Sequence, residues 1–301
     1  MNTAPALLLA LACASLANAQ PERSFGPWVF GLSGGAVQQL RSDLDDSPGD
    51  FSVTRWFIQP SVGYAWSRRT TVSLAVGAGE SSYKFSDEAS IAGEQPWDRI
   101  RDYRVSVPVR FAIGERFSGI VIPSIRSYAE ASADLSDGRS EGLITGVSWQ
   151  LGKRLRLGPG FGWFTEIGGG ANVFPILVID WKITERLQLA TGRGLAASQG
   201  PGLSLNYHIN RHWKTGLTVR YEKVRFALDD KGPAPGGFGQ DQSTPVLISG
   251  EYSPWPMTSV SALVGVELNG NLRLEDRHGN LVDRSDYRPA PILGFAFRTL
   301  F

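Results

Sequence analysis

Hydrophobic and polar positions alternate along this chain, most cleanly at its end. From Tyr287 it runs YRPAPILGFAFRTLF and stops at Phe301. Phe301, Thr299, Phe297, Phe295, Leu293 and Pro291 fall on one face, with Leu300, Arg298, Ala296, Gly294, Ile292 and Ala290 on the other. A period of two predicts a β-strand, because successive side chains of an extended backbone point to opposite sides. The large apolar face requires a non-aqueous neighbour, and the small and charged face a polar one. A strand with lipid outside and a lumen inside satisfies both.

The same pattern recurs upstream. Trp28 to Gln38 predicts a first strand. The second places Trp56, Ile58, Pro60, Val62 and Tyr64 outward and Arg55, Gln59, Ser61 and Gly63 inward. Val72 to Ala78 follows, then Tyr103, Val105, Val107, Val109 and Phe111 outward against Arg104, Ser106 and Arg110. Gly119–Ala133 turns Arg126 and Glu130 inward, and Leu143–Leu151 comes next. Leu155–Trp163 opposes Arg156, Gly158, Gly160, Gly162 and Glu166. Those glycines either widen a channel or let a loop pack closely. Val173–Trp181, Leu187–Ala196, Leu203–Ile209, Trp213–Tyr221, Val246–Tyr252 and Val260–Leu268 complete the series before the last strand. That makes about 14 strands, an even number as single-chain bacterial barrels have. The weakest alternation lies in Gly119–Ala133 and Leu187–Ala196; without these two the count is twelve. Prolines 60, 108, 123, 159, 175 and 291 fall inside predicted strands, where each removes a ladder donor.

Short turns alternate with long polar loops. Gly114-Glu115-Arg116, Gly152-Lys153-Arg154, Thr184-Glu185-Arg186 and Asn210-Arg211-His212 are short; Ser86–Trp97, Asp229–Thr244 and Glu275–Asp286 are long. The prediction is an all-β, transmembrane, antiparallel up-and-down barrel with both termini on the short-turn, periplasmic side. Aromatic residues support it. Trp28, Tyr64, Trp66, Phe111, Phe117, Trp149, Trp181, Tyr207, Trp213, Tyr252, Trp255 and Phe301 all lie beside the short turns. Such rings prefer the boundary between hydrocarbon and water. A looser set, Tyr83, Phe85, Tyr103, Tyr128, Trp163, Tyr221, Phe226 and Tyr287, lies towards the long loops.

The other terminus reads MNTAPALLLALACASLANA. An apolar run followed by Ala17-Asn18-Ala19 predicts a signal peptide over 1–19 and a barrel over 20–301. The run is far short of the ~20 residues that a spanning helix needs. Cys13, the sole cysteine, lies inside this segment, with Ala10 where a lipoprotein motif usually has Leu. The mature chain then has no thiol to oxidise in the periplasm.

Composition narrows the function classes. The 30 Lys and Arg nearly balance 29 Asp and Glu, so nothing points to nucleic acid or a polybasic membrane contact. A mean hydropathy of −0.13 disfavours a helical membrane protein. Inward candidates are Arg55, Arg104, Arg110, Arg126, Arg156, Lys182, Arg186, Lys214, Arg220 and Arg298 against Glu130, Glu166, Asp180, Glu222, Glu251 and Glu267. They read either as a mildly cationic pore wall or as ion pairs that fill the space.

Ser204, Asn206 and His208 share a face, but lipid-acting enzymes need their groups facing lipid, where Leu205 and Tyr207 stand. His278 lies near Asp276 in a long loop, which is only loosely protease-like. No enzyme, cofactor or metal site is expected.

The last strand resembles the C-terminal targeting strand of bacterial outer-membrane barrels, with Phe301, Phe297 and Phe295 as the assembly signal and Thr299 where an aromatic is usual. The resemblance implies outer-membrane lipid and the barrel-assembly machinery as partners; the oligomeric state stays open. The whole mature chain resembles poorly characterised outer-membrane barrel families of Gram-negative bacteria. Fourteen-stranded fatty-acid transporters are similar in strand number but carry an N-terminal hatch. Only Gln20 to Pro27 precede the first strand here, which argues against a plugged hydrophobic transporter. The expected function is a porin-like channel for small polar solutes with weak anion preference. The alternative is a structural or surface-interaction barrel with a closed lumen; a lipid-modifying enzyme comes third.

Two outcomes follow from the chain ends. N-terminal sequencing of membrane-extracted protein is expected to begin at Gln20; Met1, or a lipidated Cys13, refutes the signal-peptide reading. Phe301→Asp is expected to lower the amount of folded, heat-modifiable protein in the outer membrane. Wild-type levels would refute the role of the terminal ring.

Overall fold

A computed structural model describes residues 27–46, 48–67, 69–86, 91, 95–191 and 202–301. The predicted signal peptide, the cleavage site, the stretch from Gln20 to Gly26, and the end of the Leu187–Ala196 strand lie outside the described residues. The β-segments are β1 Trp28–Asp43, β2 Asp50–Ser67, β3 Thr70–Phe85, β4 Arg99–Ser106, β5 Val109–Ile113, β6 Phe117–Glu130, β7 Arg139–Leu151, β8 Leu155–Thr165 and β9 Ala171–Lys182. They continue with β10 Leu187–Thr191, β11 Gly202–His208, β12 Trp213–Arg220, β13 Glu222–Ala227, β14 Phe238–Tyr252, β15 Thr258–Glu275, β16 Leu281–Tyr287 and β17 Ala290–Leu300.

These segments build one closed antiparallel barrel, because β1 pairs with β17 on one side and β2 on the other. Three wall strands are each broken once. β4 and β5 form one, β12 and β13 another, β16 and β17 a third, which leaves fourteen, as the alternation predicts. Each break has a proline at it. Pro108 separates β4 from β5, and Pro289 follows the end of β16. The register across β12 and β13 sets Pro245 opposite Arg220 at the third. A missing N–H interrupts the ladder there. Pro60, Pro123, Pro159, Pro175 and Pro291 stay within strands, all exposed on the outward face.

Through the membrane-facing belt the outward face is apolar, and towards the long loops it turns polar, with Arg101, Arg139, Glu141 and Arg284 exposed. At the short-turn end Trp28 packs edge-on against Tyr64 at 5.2 Å, Phe117 against Trp149 at 5.3 Å, and Trp213 lies over Tyr252 at 4.8 Å. Both described ends of the chain are here, since Phe30 and Phe301 exchange backbone hydrogen bonds.

The long-loop end departs from a plain cylinder. Two segments read as loops are partly strand: β14 starts at Phe238, and β16 starts at Leu281 after a tight turn at Asp276–Asn280. The first strand likewise runs on from Gln38 to Asp43. Their sequences are polar because they stand beyond the apolar belt, so no greasy alternation marks them. Here β13 reaches the opposite wall, where Ala227 pairs with Ala129 of β6. The ends of β2, β3, β4, β6, β13, β14, β15 and β16 converge on one buried cluster that includes Phe51, Val53, Tyr83, Trp97, Ile100, Tyr128, Phe226, Leu272, Leu274 and Tyr287. Half of the aromatics expected as a looser outer set are core: Tyr83, Tyr128, Phe226 and Tyr287 point inward and are buried, whereas Tyr103 is exposed and Phe85, Trp163 and Tyr221 are half-buried.

A bulge bends the wall into this shape. Between Gln242 and Thr244 the pairing of β14 with β15 shifts, opposite Asn269, whose φ is +53°. Asn tolerates that left-handed conformation better than most residues, and a bulge with one such residue sharpens the local twist. Gly270 comes next, and the Tyr287 ring lies over it, 2.0 Å from where a Cβ would sit. Gly270→Val is expected to displace Tyr287 and lower the thermal unfolding midpoint of the barrel, by about 1–3 kcal/mol of lost stability as overpacked cores show. An unchanged midpoint would mean that the ring is not held there.

Candidate functional site

The lumen wall carries its charges in layers. Just below the apolar cluster, Arg55 of β2 donates from Nη2 to Asp241 of β14 at 2.9 Å and from Nη1 to Glu267 of β15 at 3.1 Å. Asp241 also accepts from the hydroxyls of Tyr83 at 2.9 Å and Tyr287 at 3.1 Å. Beside them Asp102 of β4 accepts from Arg126 Nε at 2.7 Å and pairs with Arg104. All these side chains are at most 13% exposed. A buried charge is stable only with a partner, and here each cation has at least one carboxylate.

The β13–β14 hairpin has protein on both sides. On one side Phe226 packs among Tyr83, Trp97 and Tyr128 at 5.1–6.2 Å between ring centres. On the other, Arg225 Nη1 pairs with Glu275 at 2.6 Å and its Nε donates to the Ile167 carbonyl at 2.8 Å. Lys223 Nζ stands 3.7 Å from Glu166, which also accepts from the Asn172 amide. At the tip, Glu130 accepts from the backbone N–H of Asp229 at 3.0 Å and of Asp98 at 3.3 Å.

The remaining predicted lumen residues are placed as follows. Arg220 and Glu222 are buried where β12 passes into β13. Lys214 pairs with Glu251 at 2.8 Å. Asp180 accepts from Gln188 at 2.5 Å, and Arg156 is its cross-strand neighbour. Arg110 sits opposite Thr71 and Ile120. Lys182 is exposed at the short-turn mouth, and Arg186, expected inward, is exposed in the turn before β10. Arg298 lines a recess there with Gly31, Ser33, Gln59, Ser61 and Ser73, with a cavity volume of about 60 Å³. Of the assembly residues, Phe301 and Phe295 are exposed on the outer surface, and the Phe297 ring covers Gly34.

Other sequence candidates resolve into structural roles. A Cβ at Gly158 would meet the Val147 carbonyl at 1.9 Å, and one at Gly162 the Phe174 ring at 2.0 Å. Against expectation, these glycines neither widen the lumen there nor seat a loop; they admit the neighbouring strands β7 and β9. Ser204 Oγ lies 2.8 Å from the Thr218 hydroxyl on the inward face. Asp276 accepts from the backbone N–H of His278 at 2.8 Å and from Asn280, so the pair builds a turn. The Asn280 amide is the main reason the Asp276 carboxyl is held below the usual carboxylate range. Among the described residues no cluster of three or more His, Cys, Asp or Glu is placed to hold a metal ion.

Sequence reasoning missed Asp102, Asp241, Glu275, Lys223 and Arg225. Asp102 was readable, since it shares the face of Arg104 two residues on. Asp241 and Glu275 were hidden because their segments looked like loops.

The chain matches no family model and no curated protein. Among solved structures it is similar to the COG4313 outer membrane channel from Pseudomonas putida F1, at 8% identity and a TM-score of 0.53, over 94% of this chain and 100% of that one. A Pseudomonas aeruginosa FadL homologue has 12% identity and a TM-score of 0.48, covering 91% of this chain and 89% of that chain. The P. putida toluene transporter TodX has 9% identity and a TM-score of 0.46, over 94% and 91%. At these identities the first likeness shows a shared fold, that of a transmembrane outer-membrane barrel, and the other two carry no argument.

Proposed function

We propose that this protein is a passive channel of the Gram-negative outer membrane for small polar solutes, with a weak preference for anions and an outer mouth closed in this conformation by its own β13–β14 hairpin. Both termini face the periplasm, the apolar belt meets outer-membrane lipid, and the last strand is read by the barrel-assembly machinery. The observation that carries the reading is the asymmetry of the lumen. Its long-loop end is filled by an apolar cluster and paired charges, while its short-turn end is a recess lined by glycines, serines and Arg298.

The sequence counted a surplus of inward cations along the whole lumen. In the outer half Asp102, Asp241 and Glu275 offset it. In the short-turn half Arg110, Arg156, Lys182, Lys214 and Arg298 stand against Asp180 and Glu251, so any anion preference belongs to that half. Such a ring lowers the barrier for anions, and salt screens the effect. A second reading, a structural barrel with a permanently closed lumen, is favoured by the number of well-paired buried charges beneath the cluster.

Planar-bilayer recordings separate the two. Wild-type protein is expected to show brief openings. Asp241→Asn removes the acceptor shared by Arg55, Tyr83 and Tyr287, and breaking a buried pair costs roughly 3–5 kcal/mol. The open fraction is therefore expected to rise. Arg110→Glu with Arg298→Glu is expected to move the reversal potential toward cations. Silence from both wild type and Asp241→Asn would support the structural barrel, and an unmoved reversal potential would remove the anion preference.

A further inference from the structure

Charge is divided unevenly between the two ends of the barrel. The near balance of the whole chain hides this, because carboxylates such as Asp43, Asp45, Asp283 and Asp286 gather at the long-loop end. At the short-turn end, consecutive turns around the wall each carry a cation. Arg69 lies between β2 and β3, Arg116 between β5 and β6, Lys153 and Arg154 between β7 and β8, Arg186 between β9 and β10, and Arg211 between β11 and β12. Against them these turns hold the carboxylates Glu115 and Glu185. The turn between β14 and β15 has no charged side chain, so the cations form an arc and not a full ring.

All of these cations are exposed. Two are tied to the protein. Arg69 reaches the next turn, donating from Nη1 to the Gly114 carbonyl at 2.7 Å and from Nη2 to the Glu115 carbonyl at 2.9 Å. Arg154 pairs with Glu185 at 3.2 Å. The side chains of Arg116, Lys153, Arg186 and Arg211 make no hydrogen bond or ion pair among the described residues. Like charges gathered on one rim repel one another, and an anionic neighbour relieves that repulsion.

The depth of the arc decides which neighbour. Exposed rings stand beside it, with Trp66 close to Arg69, Trp149 to Lys153, Trp181 to Arg186 and Trp213 to Arg211 along the chain. Such rings mark the boundary between hydrocarbon and water. A turn of three residues reaches no more than ~10 Å beyond its strand ends. The cations therefore stand in the headgroup layer, where the anion at hand is a lipid phosphate. An acidic protein in solution has to reach past headgroups to meet them, whereas lipid already touches the rings alongside.

We propose that this arc binds anionic phospholipids of the periplasmic leaflet, each unpaired cation taking a headgroup phosphate while the neighbouring ring packs on the upper acyl chain. A guanidinium suits a phosphate because its fork donates two parallel hydrogen bonds. Each Lys or Arg near an anionic surface raises affinity about fivefold, and salt screens the effect. The proposal rests on the orientation given above, with the short turns periplasmic, and is independent of conduction.

The test uses the purified, heat-modifiable full-length barrel in vesicles of phosphatidylcholine and phosphatidylglycerol. Quenching of tryptophan fluorescence by a brominated form of one lipid or the other gives their relative association constants. Phosphatidylglycerol is expected to be preferred at least about fivefold at low salt, and within about twofold at high salt. The folded protein with Arg116→Gln, Lys153→Gln, Arg186→Gln and Arg211→Gln together is expected to lose the preference. Arg99→Gln with Arg101→Gln and Arg139→Gln, on the outward face near the long loops, is expected to keep it. No preference in wild type, a preference kept by the fourfold variant, or one lost equally in the long-loop variant would each overturn the proposal. Equal affinity for both lipids, with salt-sensitive binding of polyglutamate to the arc, would assign it to an acidic protein instead. Orientation is read separately. Glu115→Cys is expected to react with a maleimide too large to cross the outer membrane only after cells are permeabilised. Labelling of intact cells would overturn the periplasmic placement whatever the lipid result, and silence in bilayer recordings would leave the lipid site standing.

Discussion

In hydrocarbon no water is present to satisfy a backbone N–H or C=O, and the rest of this structure follows from that constraint. A sheet meets it only by closing on itself, and the chain does so where β1 takes β17 on one edge and β2 on the other. The same constraint explains how the prolines are distributed. Five stay in the wall with their rings turned outward to the apolar surroundings, and the other interruptions divide wall strands into two segments while the neighbouring ladders keep their register. Closure also makes the two sides of every strand unlike. Outward positions become Val, Leu, Ile and aromatic rings, and inward positions become Gly, Ser, Gln and paired charges.

Beyond the apolar belt the constraint is lifted, and the architecture changes. Strand ends no longer need lipid on one side, so they can approach one another. They do so around Phe51, Tyr83, Trp97, Phe226 and Tyr287, which form a core of the kind that holds soluble β-proteins together. The bulge at Gln242 to Thr244, with Asn269 in a left-handed conformation and a bare Cα at Gly270, gives β14 and β15 the bend that this convergence requires. The outer end is thus a short, filled barrel continuous with the membrane-facing wall below it.

Between the two regimes lies a layer of buried charge. Arg55 with Asp241 and Glu267, and Asp102 with Arg104 and Arg126, sit under the apolar cluster, where each ion depends on its partners for solvation. Arg55 ties β2 to β14 and β15 across the lumen, while Asp102 holds the adjacent strands β4 and β6, so the position of the β13–β14 hairpin depends on long-range pairs as well as on packing. It also leaves β7, β8 and β9 outside the filled part, with the rim of Lys223, Glu166 and Arg225 above Phe164.

The sequence by itself determined the wall. Alternation of period two identified the strands from Trp28 onward, the even count, the inward face of Arg55, Arg104, Arg126 and Glu267, and the aromatic girdle beside the short turns. Lipid and lumen impose opposite demands on adjacent residues, and those demands are written locally in the chain. Only the tertiary structure decided what fills the lumen. Asp241 lies in a polar stretch that reads as a loop, and its partners Arg55 and Tyr83 are more than 150 residues away in sequence. Tyr83, Phe226 and Tyr287 carry no local sign that they face one another. Above the membrane both faces of a strand can be buried or polar, so periodicity no longer marks the element, and contacts between distant strands decide the outcome.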